Sequence, residues 1–414
     1  MRSVFDVAIT GGGPAGMMAG ISAKKSGNKV CILEKNSTLG RKLLLTGKRR
    51  CNFTTSKEVP EIVEVFGKQG KFLYGALSRF SNKDLVDFFE NRGVKTKIER
   101  GNRVFPESNK AITILNCLEN ELKKKKVEIF FEFNVRKIIK RPDYFYISSK
   151  EEIIKAKKII IATGGKSYPE TGSTGDGYRF AEILGHKIIK PKPALVGLVV
   201  KDKKINFLAG LSLKNISLDF FSGDKVFVKE FGEMLFTHIG ISGPCVLKSS
   251  KNVYEKLKGQ EEVFAKIDLK PGLDNKKLKQ RIYREISEFP KKEYQSLLKT
   301  LLPKSLINYV VYKTNVDKHK KASLLDKAEI LKLIEFLKDW RFKIDAVEPL
   351  KKAIITNGGV DINEINPKTM QSKKLENLYF AGEIISLVGP TGGYNLQKAF
   401  STGWVAGKSA VGGI

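Results

Sequence analysis

Three glycines, Gly11, Gly13 and Gly16, and one carboxylate, Glu34, have the types and spacing to do chemistry together. Gly-x-Gly-x-x-Gly after an apolar run allows a tight turn. It lets an anion approach the backbone, and it packs the following helix closely on the preceding strand. The N-terminus of that helix, here Pro14, Ala15 and onward, offers free N–H groups and a partial positive charge to a phosphate. A carboxylate about 20 residues on can accept hydrogen bonds from a ribose. It also repels a 2′-phosphate. The pair therefore predicts a site for FAD or NAD rather than NADP.

These residues need elements to hold them. An apolar strand, Val4 to Ile9, leads into the glycines, a small-residue helix runs through Ala23, and a second strand, Lys29 to Leu33, ends on Glu34. A glycine-rich basic loop follows, Gly40 to Asn52. Apolar spacing predicts helices over Ser81–Arg92 and Ala111–Lys124, a strand-pair element over Val127–Ile139, and a buried strand from Lys158 into Thr163-Gly164-Gly165. Composition changes at Pro191-Lys192-Pro193. Alternating segments at Leu195–Val200, Leu211–Phe221, Lys225–Phe231 and Val263–Ile267 predict an antiparallel β domain. Stripes at Leu278, Ile282 and Ile286, and at Ile330, Leu333, Ile334 and Leu337, predict a small helical insert. The chain then returns to α/β character. Leu378 to Phe380 is an apolar strand that runs on to Gly382-Glu383, and Gly389 to Gln397 opens a small-residue helix through Gly407. That second glycine-rich helix start predicts a second phosphate-and-ring site. The expected domains are 1–190, 191–270, 271–340 and 341–414, the first and last forming one fold.

A chain of 414 residues should form two or three domains. Its net charge of +31 raises nucleic acid as a partner, but the lysines are scattered and aromatics do not interleave with them. Solvated faces are the expected meaning, with a small-molecule substrate and no nucleic-acid partner. Cys31, Cys51, Cys117 and Cys245 form no C-x-x-C, which argues against a disulfide scaffold, a zinc site and the flavin disulfide reductases. The three histidines show no ligand spacing, so no metal is expected; His238 reads equally as a core residue or a substrate contact. No apolar run reaches the roughly 18 residues that span a bilayer. A soluble, cytoplasmic protein without a membrane partner is expected. Its oligomeric state is open.

The motifs together are specific. The chain resembles the HI0933-like (BaiN-type) flavoproteins, NAD(P)/FAD-dependent oxidoreductases, over nearly its whole length. The resemblance rests on Gly11 to Gly16, Gly40-Arg41-Lys42 through Arg50-Cys51-Asn52, Arg103-Val104-Phe105-Pro106 and Thr171 to Gly177. It continues in Phe236-Thr237-His238 with Gly240 to Pro244, Thr356 to Val360, and Ala381-Gly382-Glu383 through Gly392-Gly393-Tyr394-Asn395. Thr174 to Gly177 also resembles an element of fumarate reductase flavoprotein subunits, and Ala162-Thr163-Gly164 one of two-dinucleotide flavoproteins. The implied fold is a Rossmann-type FAD-binding domain, interrupted by the antiparallel β domain and the helical insert.

The resemblance implies non-covalent FAD, with NAD(P)H as a candidate electron donor. Glu34 would hold the ribose, with Lys35 beside it, and Val135 would meet the adenine. Arg41 and Lys42 would approach the pyrophosphate or flavin edge. Gly47, Arg50, Cys51 and Asn52 share that loop, and Asn52 offers both donor and acceptor to a ring edge. Thr163 and Gly164 belong to the same site. Gly382 and Glu383 would meet the ribityl chain. Gly392, Gly393, Tyr394, Asn395 and Leu396 would face flavin N1 and O2 at a helix start. Arg103 is the candidate catalytic cation, and the flavin itself carries the hydride. Cys51 reads as a packing residue whose neighbours Arg49 and Arg50 would lower its pKa. Two departures stand out. Lys48-Arg49 replaces a pair that is often glycine, and Ser386 and Val388 stand where relatives often carry aspartate. The family covers reductases of activated C=C bonds and amine oxidases. An FAD-dependent RNA-modifying enzyme and a non-catalytic flavin-binding protein are the rival readings.

Overall fold

The computed structural model describes residues 4–413, without the side chain of residue 203. It contains two compact units, Met1–Ala194 with Leu350–Ile414, and Leu195–Pro349.

In the first unit, β1 (Phe5–Thr10), α1 (Pro14–Ala23) and β2 (Val30–Leu33) follow one another. Both strands are almost wholly buried. Covered faces on both sides of a parallel sheet explain why they read as continuous apolar runs. Strand β1 pairs in parallel with β2, Val7 opposite Val30, and on its other edge with β3 (Ile153–Ile161), Ala8 opposite Ile159. The upper part of β3, Ile159 to Ile161, is buried without a break. There it also takes β4 (Leu378–Phe380), in parallel, with Phe380 opposite Ile161. The returning chain thus completes the sheet that the N-terminus began. Glu128–Phe130 extends the sheet beside β2, and Lys137–Lys140 and Phe145–Ser148 form its antiparallel flank against β3. The strand-pair element expected over Val127–Ile139 holds two strands, but they do not pair with each other: one lies beside β2 and the other against Phe145–Ser148. The backbone bends between them at Glu132, φ +57°, where the Phe133 N–H donates to the Glu34 carbonyl at 2.9 Å.

Helix α2 (Tyr394–Ala410) packs on α1 backbone to backbone. A Cβ at Gly403 would stand 2.3 Å from the Ala15 carbonyl oxygen, and one at Gly407 the same distance from that of Ala19. The small residues of α2, spaced one turn apart, are what permit this approach.

The second unit is a closed antiparallel barrel. Its strands run in the order Leu198–Val200, Gly240–Ser242, Lys225–Thr237, Ser212–Ser222, Val263–Asp268 and Trp340–Val347. The helices Asn275–Glu288, Tyr294–Leu301, Lys304–Thr314 and Lys327–Lys338 share one hydrophobic core with it. The Trp340 ring stacks on Phe236 of the barrel at 5.4 Å and on Phe336 of a helix at 4.9 Å. The boundaries expected at 270 and 340 are displaced for this reason. The helices bury their stripes against the barrel, and the closing strand lies after them, paired to Val263–Asp268 and Leu198–Val200. His238 lies exposed in the turn between two barrel strands, neither core nor within the glycine-rich unit.

Among the described residues no helix is long and apolar enough to cross a membrane, and no group of three His, Cys, Asp or Glu could hold a metal.

Candidate functional site

The first unit gathers most of the chemistry-bearing residues along the C-terminal ends of β1, β3 and β4, where open α/β sheets place their ligands. The turn after β1 comes first. Gly11 has φ +98°, and a Cβ at Gly16 would stand 1.9 Å from the Gly11 carbonyl oxygen. Gly13, the N-cap of α1, differs: a Cβ there would meet nothing within 4 Å. Pro14 occupies the first helical turn, where its missing N–H costs nothing.

Glu34 is buried beneath this turn. One carboxylate oxygen accepts from the Gly12 N–H at 2.6 Å; the other accepts from the Asn36 N–H at 2.8 Å and its side-chain amide at 2.6 Å. The acid therefore fixes the shape of the glycine turn, a role the spacing alone did not disclose. Val135 is buried two residues beyond Phe133, whose N–H meets the Glu34 carbonyl.

The basic loop divides by partner. Lys35 reaches Asp176 at 2.8 Å and the Thr174 hydroxyl. Burial works against ionisation of Asp176, yet these two partners hold its pKa below the usual carboxylate range. Arg41 is exposed and donates to the Asn36 side-chain oxygen at 3.0 Å. Lys42 lies deeper. Its Nζ donates to Ser167 Oγ at 2.7 Å and to both Glu383 oxygens, at 2.8 and 3.1 Å. Glu383 also accepts from Ser167 Oγ at 3.2 Å and the Thr356 N–H at 2.9 Å. Burial would raise the Glu383 pKa, but Lys42 outweighs it and the carboxyl stays below its ordinary value. A Cβ at Gly165 would stand 2.5 Å from Glu383 Oε1, so only glycine leaves room for this cluster.

Further along, Arg50 pairs with Glu99, donates to Asn109 Oδ1 at 3.0 Å, and lies 4.3 Å from the centre of the Phe105 ring. Arg103 lies on the exposed end of the strand Arg103–Pro106; its Nε donates to the Arg100 carbonyl at 3.0 Å. Cys51 is fully buried at φ +61°. Burial pushes its thiol up to about 12, against the expectation that Arg49 and Arg50 lower it. Desolvation of the thiolate exceeds what cations turned toward solvent or toward Glu99 can return. Gly47, at φ +57°, leaves space for the Asn52 N–H, which a Cβ would meet at 2.8 Å. Asn52 Oδ1 and Thr163 Oγ1 are buried with no hydrogen-bond partner. Thr163 is followed by Gly164 at φ +77°.

The C-terminal return closes the site. Gly382, φ +81°, donates to Thr402 Oγ1 at 2.9 Å, and a Cβ there would meet the Ala15 side chain at 2.7 Å. Gly392 and Gly393 take φ +127° and +92° before α2. A Cβ at Gly393 would stand 2.3 Å from the Thr54 carbonyl oxygen. Tyr394 is buried, and Leu396 packs partly buried on the core. Asn395 staples its own loop, accepting from the Gly389 N–H at 2.9 Å and donating to the Gly389 and Pro390 carbonyls at 2.8 and 3.1 Å. Lys398 escaped the sequence reading. It is 1 % exposed, its Nζ donates to the Leu387 carbonyl, and burial lowers its pKa to about 8 although the Glu383 charge opposes this. The signal was a lysine set among small residues on a buried helix.

A family model described as the HI0933-like protein Rossmann domain matches residues 5–409. A protein of Clostridium scindens named 3-dehydro-bile acid delta(4,6)-reductase is 31% identical over 98% of this chain and 98% of its own length. A Haemophilus influenzae protein named ribosomal RNA dihydrouridine synthase is 30% identical over 97% of both chains. An Escherichia coli protein of the same name is 29% identical over 98% of both. Among solved structures, a 3-ketosteroid delta1-dehydrogenase from Sterolibacterium denitrificans aligns over 100% of both chains, with TM-score 0.56 and 11% identity. A flavocytochrome c3 fumarate reductase in its open conformation aligns over 100% of this chain and 79% of that one, with TM-score 0.52 and 19% identity. These two likenesses are of fold. From its glycine turn to α2, the chain belongs to the HI0933-like family of flavoproteins.

Proposed function

We propose that the chain is an FAD-dependent oxidoreductase that adds hydrogen to an activated carbon–carbon double bond, with NAD(P)H as the electron donor. The observation that carries this reading is the open position at Gly13, beside glycines packed tight against protein. It leaves the α1 N–H groups free for a pyrophosphate. The orphaned oxygens of Asn52 and Thr163 fit the same group, since buried polar atoms of this kind are normally satisfied by a partner.

Glu34 would take the adenosine ribose on the lone pairs its protein donors leave free, and Val135 the adenine. Lys35, Arg41, Lys42 and Arg50 would supply positive charge along the pyrophosphate and ring edge. Gly382 and Glu383 would meet the ribityl chain, with Gly47 and Cys51 shaping the loop beside it. The start of α2, Gly392 to Leu396, would set its N–H groups and partial positive charge toward flavin N1 and O2. Bound there, FAD supplies two-electron hydride chemistry, so no protein nucleophile is required. Arg103, exposed at a strand end, is the cation offered to a substrate. The relatives' names support the reaction class. One is named for reducing a bile acid. The others are named for making dihydrouridine, which is uridine with two hydrogens added. Four free, buried cysteines agree with work in the reducing cytoplasm.

The test is a spectrum of the purified protein, heat release of its cofactor, and anaerobic mixing with NADH and NADPH. Released FAD and bleaching by a nicotinamide are expected. FMN alone, or a colourless protein that takes up no FAD, would refute the reading. A second reading, an RNA-modifying enzyme, is favoured by the two dihydrouridine synthase names and by the net charge of +31. It expects RNA binding that weakens steeply with salt.

A further inference from the structure

From Lys35 to Lys57 the chain carries seven lysines and arginines and no carboxylate. Four of these cations find acids elsewhere: Lys35 with Asp176, Lys42 with Glu383, Arg50 with Glu99 and Lys57 with Glu61. Arg41 donates to the Asn36 side chain instead, and Lys48 and Arg49 have neither kind of partner. Both are exposed, and among the described residues neither side chain makes an ion pair or hydrogen bond. Their backbones lie at φ +58° and +68°, next to Gly47 at +57°. That region sets Cβ against the following carbonyl oxygen, and glycine alone enters it freely. Two consecutive side chains held there against their own backbone preference, with charges left open to solvent, point to a use for the charges.

The loop's course says where that use lies. It begins at Gly40, whose N–H donates to the Gly12 carbonyl at 3.0 Å, and passes to Thr54, against which Gly393 is packed. Lys48 and Arg49 therefore stand on the outer rim of the stretch that links the glycine turn to the head of α2. We propose that they form a clip for a phosphate carried by the reacting partner, separate from the cofactor's own pyrophosphate. The proposal rests on the oxidoreductase reading above. Two sources present this chemistry, the 2′-phosphate of NADPH and the phosphodiesters of an RNA strand. Flexible donors on a raised loop suit either.

The experiment compares full-length, FAD-loaded protein with two double variants. Lys48→Gly with Arg49→Gly removes both the charges and the strain. Lys48→Gln with Arg49→Gln removes the charges alone. The glycine pair should melt about 2–4 °C above the glutamine pair, through release of the left-handed backbone. If NADPH is the source, both pairs raise KM for NADPH about tenfold or more while KM for NADH holds. If RNA is the source, both weaken binding of a short uridine-rich oligoribonucleotide. The slope of log affinity against log salt then falls by about 1.4, as for two lost phosphate contacts on a single strand. Unchanged nicotinamide preference together with an unchanged salt slope overturns the clip. Loss of FAD from both variants also overturns it, because the cations would then serve the cofactor. Wild-type protein that takes up no FAD removes the oxidoreductase reading instead, and the oligoribonucleotide slopes still judge the clip.

Discussion

Lys42 and Glu383 stand 341 residues apart in the chain and meet at 2.8 Å. The pair ties the basic loop that follows the first βαβ to the turn just after β4, Gly382–Ile384. Ser167 and the Thr356 N–H complete the cluster, so three distant segments are held around one carboxylate. Side-chain exposures of 21% and 16% leave the pair mostly shielded from water. Its loss should therefore matter more than that of a surface ion pair.

Lys42→Met should destabilise the first unit by about 3 kcal/mol, because it strands Glu383 among polar groups with its cation gone. Adding Glu383→Gln should recover part of that loss. Denaturant melts of the two single variants and the double variant form the cycle that measures it. The pH dependence has a definite sign. The Glu383 pKa is lowered in the folded state. Its contribution is present above the unfolded glutamate pKa and disappears as pH falls through the lowered folded value. Additive losses with no coupling would show that the pair does not organise the site.

Glu34→Ala should weaken FAD binding by roughly 1–3 kcal/mol, the worth of charge-assisted hydrogen bonds to a ribose. The structure adds a second expectation. The same substitution leaves the Gly12 N–H without its acceptor, so apoprotein stability should also fall. Titration of apoprotein with FAD and a melt without cofactor separate the two effects. Lys277→Ala, at an exposed helix position, should change neither. Equal FAD affinity in the Glu34 and Lys277 variants would remove Glu34 from the site.

Cys51→Ser should keep most of the rate of flavin reduction, losing at most about tenfold, which is about 1.4 kcal/mol of barrier. Burial keeps the thiol protonated near neutral pH and away from solvent. Native protein should also resist iodoacetamide at this position. Anaerobic stopped-flow at the flavin absorbance measures the first expectation and mass spectrometry the second. A collapsed rate with FAD still bound would falsify a mechanism that needs no thiol.

Much of the parallel sheet was legible because its strands are buried on both faces and carry unbroken apolar runs. The edge at which the returning chain joins was not: Leu378 to Phe380 was expected to rejoin the N-terminal fold, but nothing in the sequence pairs β4 with β3. The helix Ala111–Lys124 stands where its stripe of Ile114, Leu115, Leu118 and Leu122 set it. What sequence could not show was partnership across distance. The separation of Glu34 from the glycines points to a ribose, yet the carboxylate also holds the turn from below. Lys35 sits beside Glu34 in sequence but turns to Asp176. The barrel's last strand follows four helices, so the switch from alternating to helical spacing near 270 looked like a boundary that the shared core around Trp340 removes.

Lys398 gives the clearest test of a buried charge near the site. Its folded pKa is lowered from 10.5 to about 8, first by burial and then by the Lys42 charge, with Glu383 opposing. Between those two values the unfolded chain binds a proton that the folded chain does not, so stability should rise with pH across that window. Below about 8 both states are charged, and the full desolvation cost is in place. A shift of this size amounts to about 3 kcal/mol between pH 7 and pH 11. The rise belongs to this one group, so Lys398→Met should lack it, although it leaves the Leu387 carbonyl without its donor. Melts of both proteins across that range, taken as a difference, cancel the surface lysines they share. Parallel curves for the two proteins would show that Lys398 titrates as an ordinary solvated lysine.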